Sequence, residues 1–132
     1  MAKIHQLIKN SRKDFLHKLS RELVTRYNAI CLEDLNMQGM SRALKFGKSV
    51  ADNGWGMFTT MLQYKAIFDG KQVVKVDKFF PSSKTCSVCG TKKSELHLSE
   101  RVFHCENCLT EIDRDLNASI NIRKAGKKLL AY

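Results

Sequence analysis

The sequence predicts an α/β fold with a small cysteine-built ribbon inserted, and three observations predict it. An apolar stripe at helical spacing opens the chain, short β-branched apolar runs follow it, and two Cys-x-x-Cys pairs lie close together further on. The 132 residues suit one modest domain, or a small domain with an appendage. With 43% hydrophobic residues and a single proline, the chain can build a core and is not linker-like.

Taken in order, residues 3–27 read as an amphipathic helix. Ile4, Leu7, Ile8, Phe15, Leu16, Leu19, Leu23 and Val24 recur at spacings of three and four, and the bases fall largely between them. Asn28 breaks the pattern. Residues 29–32 (AICL) then read as a short buried strand that delivers Glu33 and Asp34 at its C-terminal end. Residues 36–39 are loop-like, and Ser41 is read as the cap of a short helical piece reaching about Phe46. Asp52, Asn53 and Gly54 mark a turn, after which Trp55, Phe58, Met61, Leu62 and Ala66 continue at helical spacing to about Phe68. Asp69-Gly70 is a turn signal, and residues 72–80 (QVVKVDKFF) form the best strand of the chain. Short hairpins are expected over 82–111. The tail from about Arg114 to Lys128 reads as a helix with Leu116, Ile120, Ile122 and Leu129 turned inward.

No run of eighteen apolar residues exists, and the N-terminus lacks the apolar stretch and small-residue site of a signal peptide. The cytoplasm is the expected compartment, where thiols stay reduced. Lys and Arg number 23 against 13 acids, a formal charge of +10 that draws polyanions and makes their binding salt-dependent. The bases cluster: Lys3, Lys9, Arg12, Lys13, Lys18, Arg21 and Arg26 on the first helix, then Arg123, Lys124, Lys127 and Lys128 near the end.

Cys86-Ser-Val-Cys89 and Cys105-Glu-Asn-Cys108 are two knuckles separated by fifteen residues. A two-residue gap lets both thiolates of a tight turn reach one tetrahedral ion, so two knuckles supply four ligands and close the site to water: the pattern of a structural zinc ribbon. A redox pair needs only one knuckle, disulfides need an oxidising compartment, and an iron–sulfur cluster remains chemically open. His97 and His104 are spare donors. Gly90 follows the first knuckle where a positive φ is easily accommodated, and Leu109 stands in the matching place of the second. Cys31, within an apolar strand, is expected to be a buried, inert thiol. Glu33 ends a strand, while Asp113 and Asp115 stand where a helix begins; each alone reads as a solvated or capping carboxylate.

Four segments in this order resemble the TnpB/OrfB family of transposon-encoded RNA-guided DNA endonucleases: LEDLN at 32–36, PSSKTCSVCG at 81–90, FHCENC at 103–108 and DRDLNASINI at 113–122. The resemblance implies a partial RuvC-like core of RNase H type with an incomplete sheet over 1–80, a zinc ribbon over 81–111 and a C-terminal RuvC-like segment over 112–132. It implies catalytic carboxylates at Glu33 and Asp115 holding Mg²⁺, with Asp113 and Asn117 in support. Lys9, Arg12, Lys13 and Arg114 would contact nucleic-acid backbone, and DNA and guide RNA would be partners in a prokaryotic, nucleoid-associated setting. The family's first carboxylate, in a stretch resembling G-I-D-x-G, has no match here, so weak Mg²⁺ binding and little or no cutting by this chain alone are expected. The chain then reads as the remnant of an insertion-sequence gene, with a missing N-terminal half or a full-length relative as its partner. The alternative is a stand-alone zinc-ribbon module that holds DNA or RNA, and a third reading is debris that folds poorly.

Overall fold

The computed structural model describes residues 2–35, 54–97 and 99–130. The expected loop at 36–39, the helical piece from Ser41 to Phe46, and Asp52 and Asn53 lie outside the described residues. The element order is α1 (Ala2–Arg26), β1 (Ala29–Glu33), α2 (Trp55–Phe68), β2 (Gln72–Val76), β3 (Val102–His104), β4 (Glu111–Asp113) and α3 (Arg114–Leu130). The chain divides into two compact units: Met1–Ile30 with Leu35–Val73, and Cys31–Asp34 with Val74–Tyr132.

In the first unit α1 packs on α2. The buried stripe of α1 is Leu16, Ser20 and Val24, one turn apart, facing Met61, Leu62, Lys65 and Ala66 of α2. The polar members of this face are satisfied in place. Ser20 Oγ donates to Leu16 O at 2.6 Å, and Lys65 Nζ donates to His17 O at 2.7 Å and Ser20 Oγ at 2.8 Å. Burial lowers the Lys65 pKa, and Arg21 adds to the effect. The C-terminus of α1 is held by Lys71, whose ammonium donates to Val24 O and Thr25 O, as suits a cation at a helix end. An ion pair of 2.8 Å joins Arg21 to Asp69. The apolar stripe predicted for α1 is therefore buried only in its C-terminal half, and Ile4, Leu7, Ile8 and Phe15 are exposed.

β1 and β2 form a two-stranded sheet. Gln72 N–H donates to Asn28 O at one end and Asp34 N–H to Val76 O at the other, so the strands run parallel, joined by a crossover that includes α2. β2 stops at Val76, short of the predicted Phe80. Asp77 turns the chain, its Oδ1 accepting from Phe79 N–H at 2.7 Å in an Asx turn.

In the second unit β3 and β4 pair antiparallel, Val102 with Asp113, Phe103 with Ile112 and His104 with Glu111. Phe103 anchors a small core with Cys86 and Cys105, flanked by Leu96, Cys108 and Ile112. Helix α3 departs from the expectation for its inward face. Its buried residues are Asn117, Asn121 and Gly126, Ile120 and Ile122 are half-buried, and Leu116 and Leu129 are exposed. Gly126 lies where α3 meets β1. A Cβ there would stand 2.3 Å from Cys31 Sγ, so no side chain fits. Cys31 is half-buried rather than buried, and that burial raises its thiol pKa against the lowering field of Lys127.

Candidate metal centre

The two knuckles fold alike because they carry the same local hydrogen bonds. In the first, Cys86 N–H donates to Thr91 O at 2.9 Å and Gly90 N–H to Cys86 O at 3.0 Å. In the second, Cys105 N–H donates to Thr110 O at 2.9 Å and Leu109 N–H to Cys105 O at 2.9 Å. Both turns need a left-handed residue after the second cysteine. Gly90 supplies φ 80, and Leu109 adopts φ 58 without glycine's freedom.

These turns bring the sulfurs of Cys86, Cys89, Cys105 and Cys108 within 4.8 Å of one another. Across the knuckles, Cys86 Sγ is 3.7 Å from Cys108 Sγ and Cys89 Sγ is 3.5 Å from Cys105 Sγ. Tetrahedral zinc with Zn–S bonds of about 2.3 Å has sulfur–sulfur edges of about 3.8 Å, so the quartet fits that ion. The second cysteine of each knuckle is tuned toward the thiolate that binds metal. The Thr91 hydroxyl, 3.3 Å from Cys89 Sγ, and the Thr91 backbone amide hold that thiol at about 5. Thr110, 3.1 Å from Cys108 Sγ, lowers Cys108 in the same way. Among the described residues this is the one group of three or more metal-ligating side chains so gathered. His97 and His104 stand outside it, His104 Nδ1 lying 3.0 Å from Glu111 Oε1.

The remaining candidates are placed as follows. Glu33 is half-buried at the end of β1, and burial raises its pKa. Asp115 is exposed in the first turn of α3, 3.7 Å from Arg114 Nε. Both belong to the second unit. Neither joins a cluster of three or more metal-ligating side chains among the described residues. Asp113 caps α3, its Oδ1 accepting from Asp115 N–H and Leu116 N–H at 2.9 Å each. Asn117 is buried, with both ends of its amide on the first knuckle's backbone. Lys9 and Lys13 are exposed on α1, and Arg12 and Arg114 are half-buried.

Sequence reasoning missed Thr91, Thr110, Asn121 and Lys124. The threonines were signalled by a repeat, Cys-x-x-Cys-x-Thr, at 86–91 and 105–110. The asparagines were signalled only by their spacing of four on a helix.

Residues 55–122, just over half of the chain, match the family model described as "Cas12f1-like, TNB domain", and residues 1–44 match that described as "Probable transposase". The chain belongs to the TnpB/OrfB family. Relatives of this chain include a "Putative RNA-guided DNA endonuclease" of Streptomyces pristinaespiralis, 39% identical over 96% of this chain and 31% of that protein. Another is TnpB-like protein L79 of Acanthamoeba polyphaga mimivirus, 36% identical over 97% of this chain and 25% of that protein. TnpB-like protein MJ1635 of Methanocaldococcus jannaschii is 32% identical over 96% of this chain and 30% of its own length. The chain thus spans about a quarter to a third of the length of the curated relatives it matches. A chain from the cryo-EM structure of a Cas12f1–sgRNA–target DNA complex superposes with a TM-score of 0.72 at 19% identity, covering 96% of this chain and 37% of that one, a likeness of fold. No helix among the described residues is long and apolar enough to cross a membrane.

Proposed function

We propose that this chain is the zinc-ribbon-bearing part of an RNA-guided DNA endonuclease of the TnpB type, acting in the cytoplasm on the nucleoid. Residues 1–80 and 112–132 contribute to a RuvC-like core, and 81–111 form a ribbon inserted between two of its carboxylates. Zinc, held by Cys86, Cys89, Cys105 and Cys108, is structural: four protein ligands leave no position open for water. Glu33 and Asp115 are the carboxylates this chain brings to a Mg²⁺ site, with Asp113 setting the first turn of α3 and Asn117 behind it. Lys9, Arg12, Lys13 and Arg114 meet the phosphates of DNA and guide RNA. Two carboxylates hold a catalytic cation pair poorly, so these 132 residues by themselves do not cut.

The observation that carries the reading is the order of parts in a chain of this family. A carboxylate ends β1, a cluster of four cysteines follows, and a second carboxylate stands in the first turn of the helix directly after the ribbon. The test begins with metal analysis, expected to return one zinc per chain. Incubation with guide RNA, DNA and Mg²⁺ or Mn²⁺ is then expected to leave the DNA intact. Robust cutting abolished by Asp115→Ala would overturn the claim of incompetence while upholding the site. Binding to DNA or RNA that is unmeasurable even near about 50 mM salt would sink the nucleic-acid role.

A further inference from the structure

The buried face of α3 is polar, and its polar atoms are directed at one short stretch of backbone. Asn117 Oδ1 accepts from Ser87 N–H at 2.8 Å, and Asn117 Nδ2 donates to Thr85 O at 2.8 Å. Asn121 Nδ2 donates to Ser82 O at 2.9 Å and to Thr85 O at 2.6 Å. Lys124 Nζ donates to Ser87 O. Positions 117, 121 and 124 form one helical stripe, and Thr85 and Ser87 are the two neighbours of the metal ligand Cys86. Asn117 is 0% exposed and Asn121 5%.

We propose that Asn117 and Asn121 are positioning residues that tie the metal-bound shape of the 85–87 backbone to helix α3, so that zinc occupancy and order in the first turns of that helix, Asp115 included, rise and fall together. The proposal rests on the zinc reading above and adds the route by which the ion acts beyond the ribbon. A buried amide is costly unless its polar atoms find hydrogen-bond partners. The partners here are the Thr85 and Ser82 carbonyls and the Ser87 amide, which the first knuckle presents in this arrangement. With the ion lost, the knuckle relaxes and the amides lose their partners, so α3 must open where Asn117 and Asn121 sit. The linkage is reciprocal: whatever the helix gains from zinc, zinc gains from the helix.

The test measures zinc affinity of the full chain by chelator competition, with Co²⁺ absorption reporting the thiolate tetrahedron. Asn117→Ala and Asn121→Ala are expected to weaken zinc by about 10- to 100-fold, the range for groups that orient metal ligands. Asn117→Leu and Asn121→Leu keep the volume and remove the hydrogen bonds, and are expected to behave like the alanine variants. Affinity within about twofold of the parent in all four, or restored by leucine alone, overturns the proposal. If the asparagine variants do not fold, hydrogen exchange on the unsubstituted chain decides. The Ser87 N–H and the amides of the first turns of α3 must be protected with zinc and lose protection together on chelation, and independent behaviour refutes the coupling. A parent chain that binds no zinc at all defeats the zinc reading instead, so the two failures are distinguishable.

Discussion

The two knuckles are near-copies in their local bonds and differ in what lies around them. Each closes with the same pair of backbone hydrogen bonds and sets a threonine against its second sulfur. The first, however, is gripped from behind by α3, whereas the second is continuous with the β3–β4 hairpin and holds Leu109 in a left-handed conformation, 82% exposed. The difference separates two tasks. Ligation is a local property that a six-residue pattern can repeat, while the side-chain grip of α3 through Asn117 falls on the backbone of the first knuckle.

Removing what the knuckles share has the largest expected effect. Stripping the metal at neutral pH, or Cys86→Ala, is expected to unfold the ribbon, read as loss of amide protection at Phe103 and Cys105. Retained protection after complete chelation would mean that the apolar core alone suffices. Phe103→Ala, which empties the centre of that core, is expected to cost about 3–5 kcal/mol in denaturant unfolding of the zinc-loaded chain. A cost below about 1 kcal/mol would show that the metal carries the ribbon unaided.

Exchanging the residues that follow the knuckles sharpens the comparison. Gly90→Ala forces a Cβ onto φ 80 and is expected to destabilise by about 1–2 kcal/mol, whereas Leu109→Gly relieves φ 58 and is expected to stabilise by about 1 kcal/mol. Equal responses would mean that the exposed leucine is held by contacts that repay its strain. The smallest effect lies outside both knuckles. Burial raises the Glu33 pKa, so its contribution to stability is full below the unfolded value near 4.5 and lost as pH rises through the folded value. Glu33→Gln is accordingly expected to raise stability slightly at pH 7 and to change nothing near pH 3, measured by thermal unfolding at both.

Much of this was legible in the residues themselves. The knuckle spacing names all four ligands because two intervening residues determine what a tight turn can reach. α2 could be bounded by Gly54 and Asp69-Gly70, and Asp113 could be recognised as a helix cap. The inward face of α3 could not: a spacing of four puts Asn117 and Asn121 on one side of the helix but does not show that a backbone segment thirty to forty residues earlier buries them. The same limit applies to α1. The stripe from Ile4 to Phe15 is genuine, but spacing reports an amphipathic helix and not whether anything covers it.

The close approach of α3 to β1 at Gly126 has a consequence for how this sequence can drift. Both Cys31 Sγ and Cys31 Cβ stand within 2.7 Å of where a Cβ at 126 would be, so shortening Cys31 to alanine does not make room. A side chain at 126 becomes compatible with this packing only alongside glycine at 31, or after the helix has backed away from the strand. Positions 31 and 126 should therefore change as a pair among TnpB proteins that keep this packing. A chain with bulk at both would have a different spacing between strand and helix, and with it a different separation of the ends that bear Glu33 and Asp115.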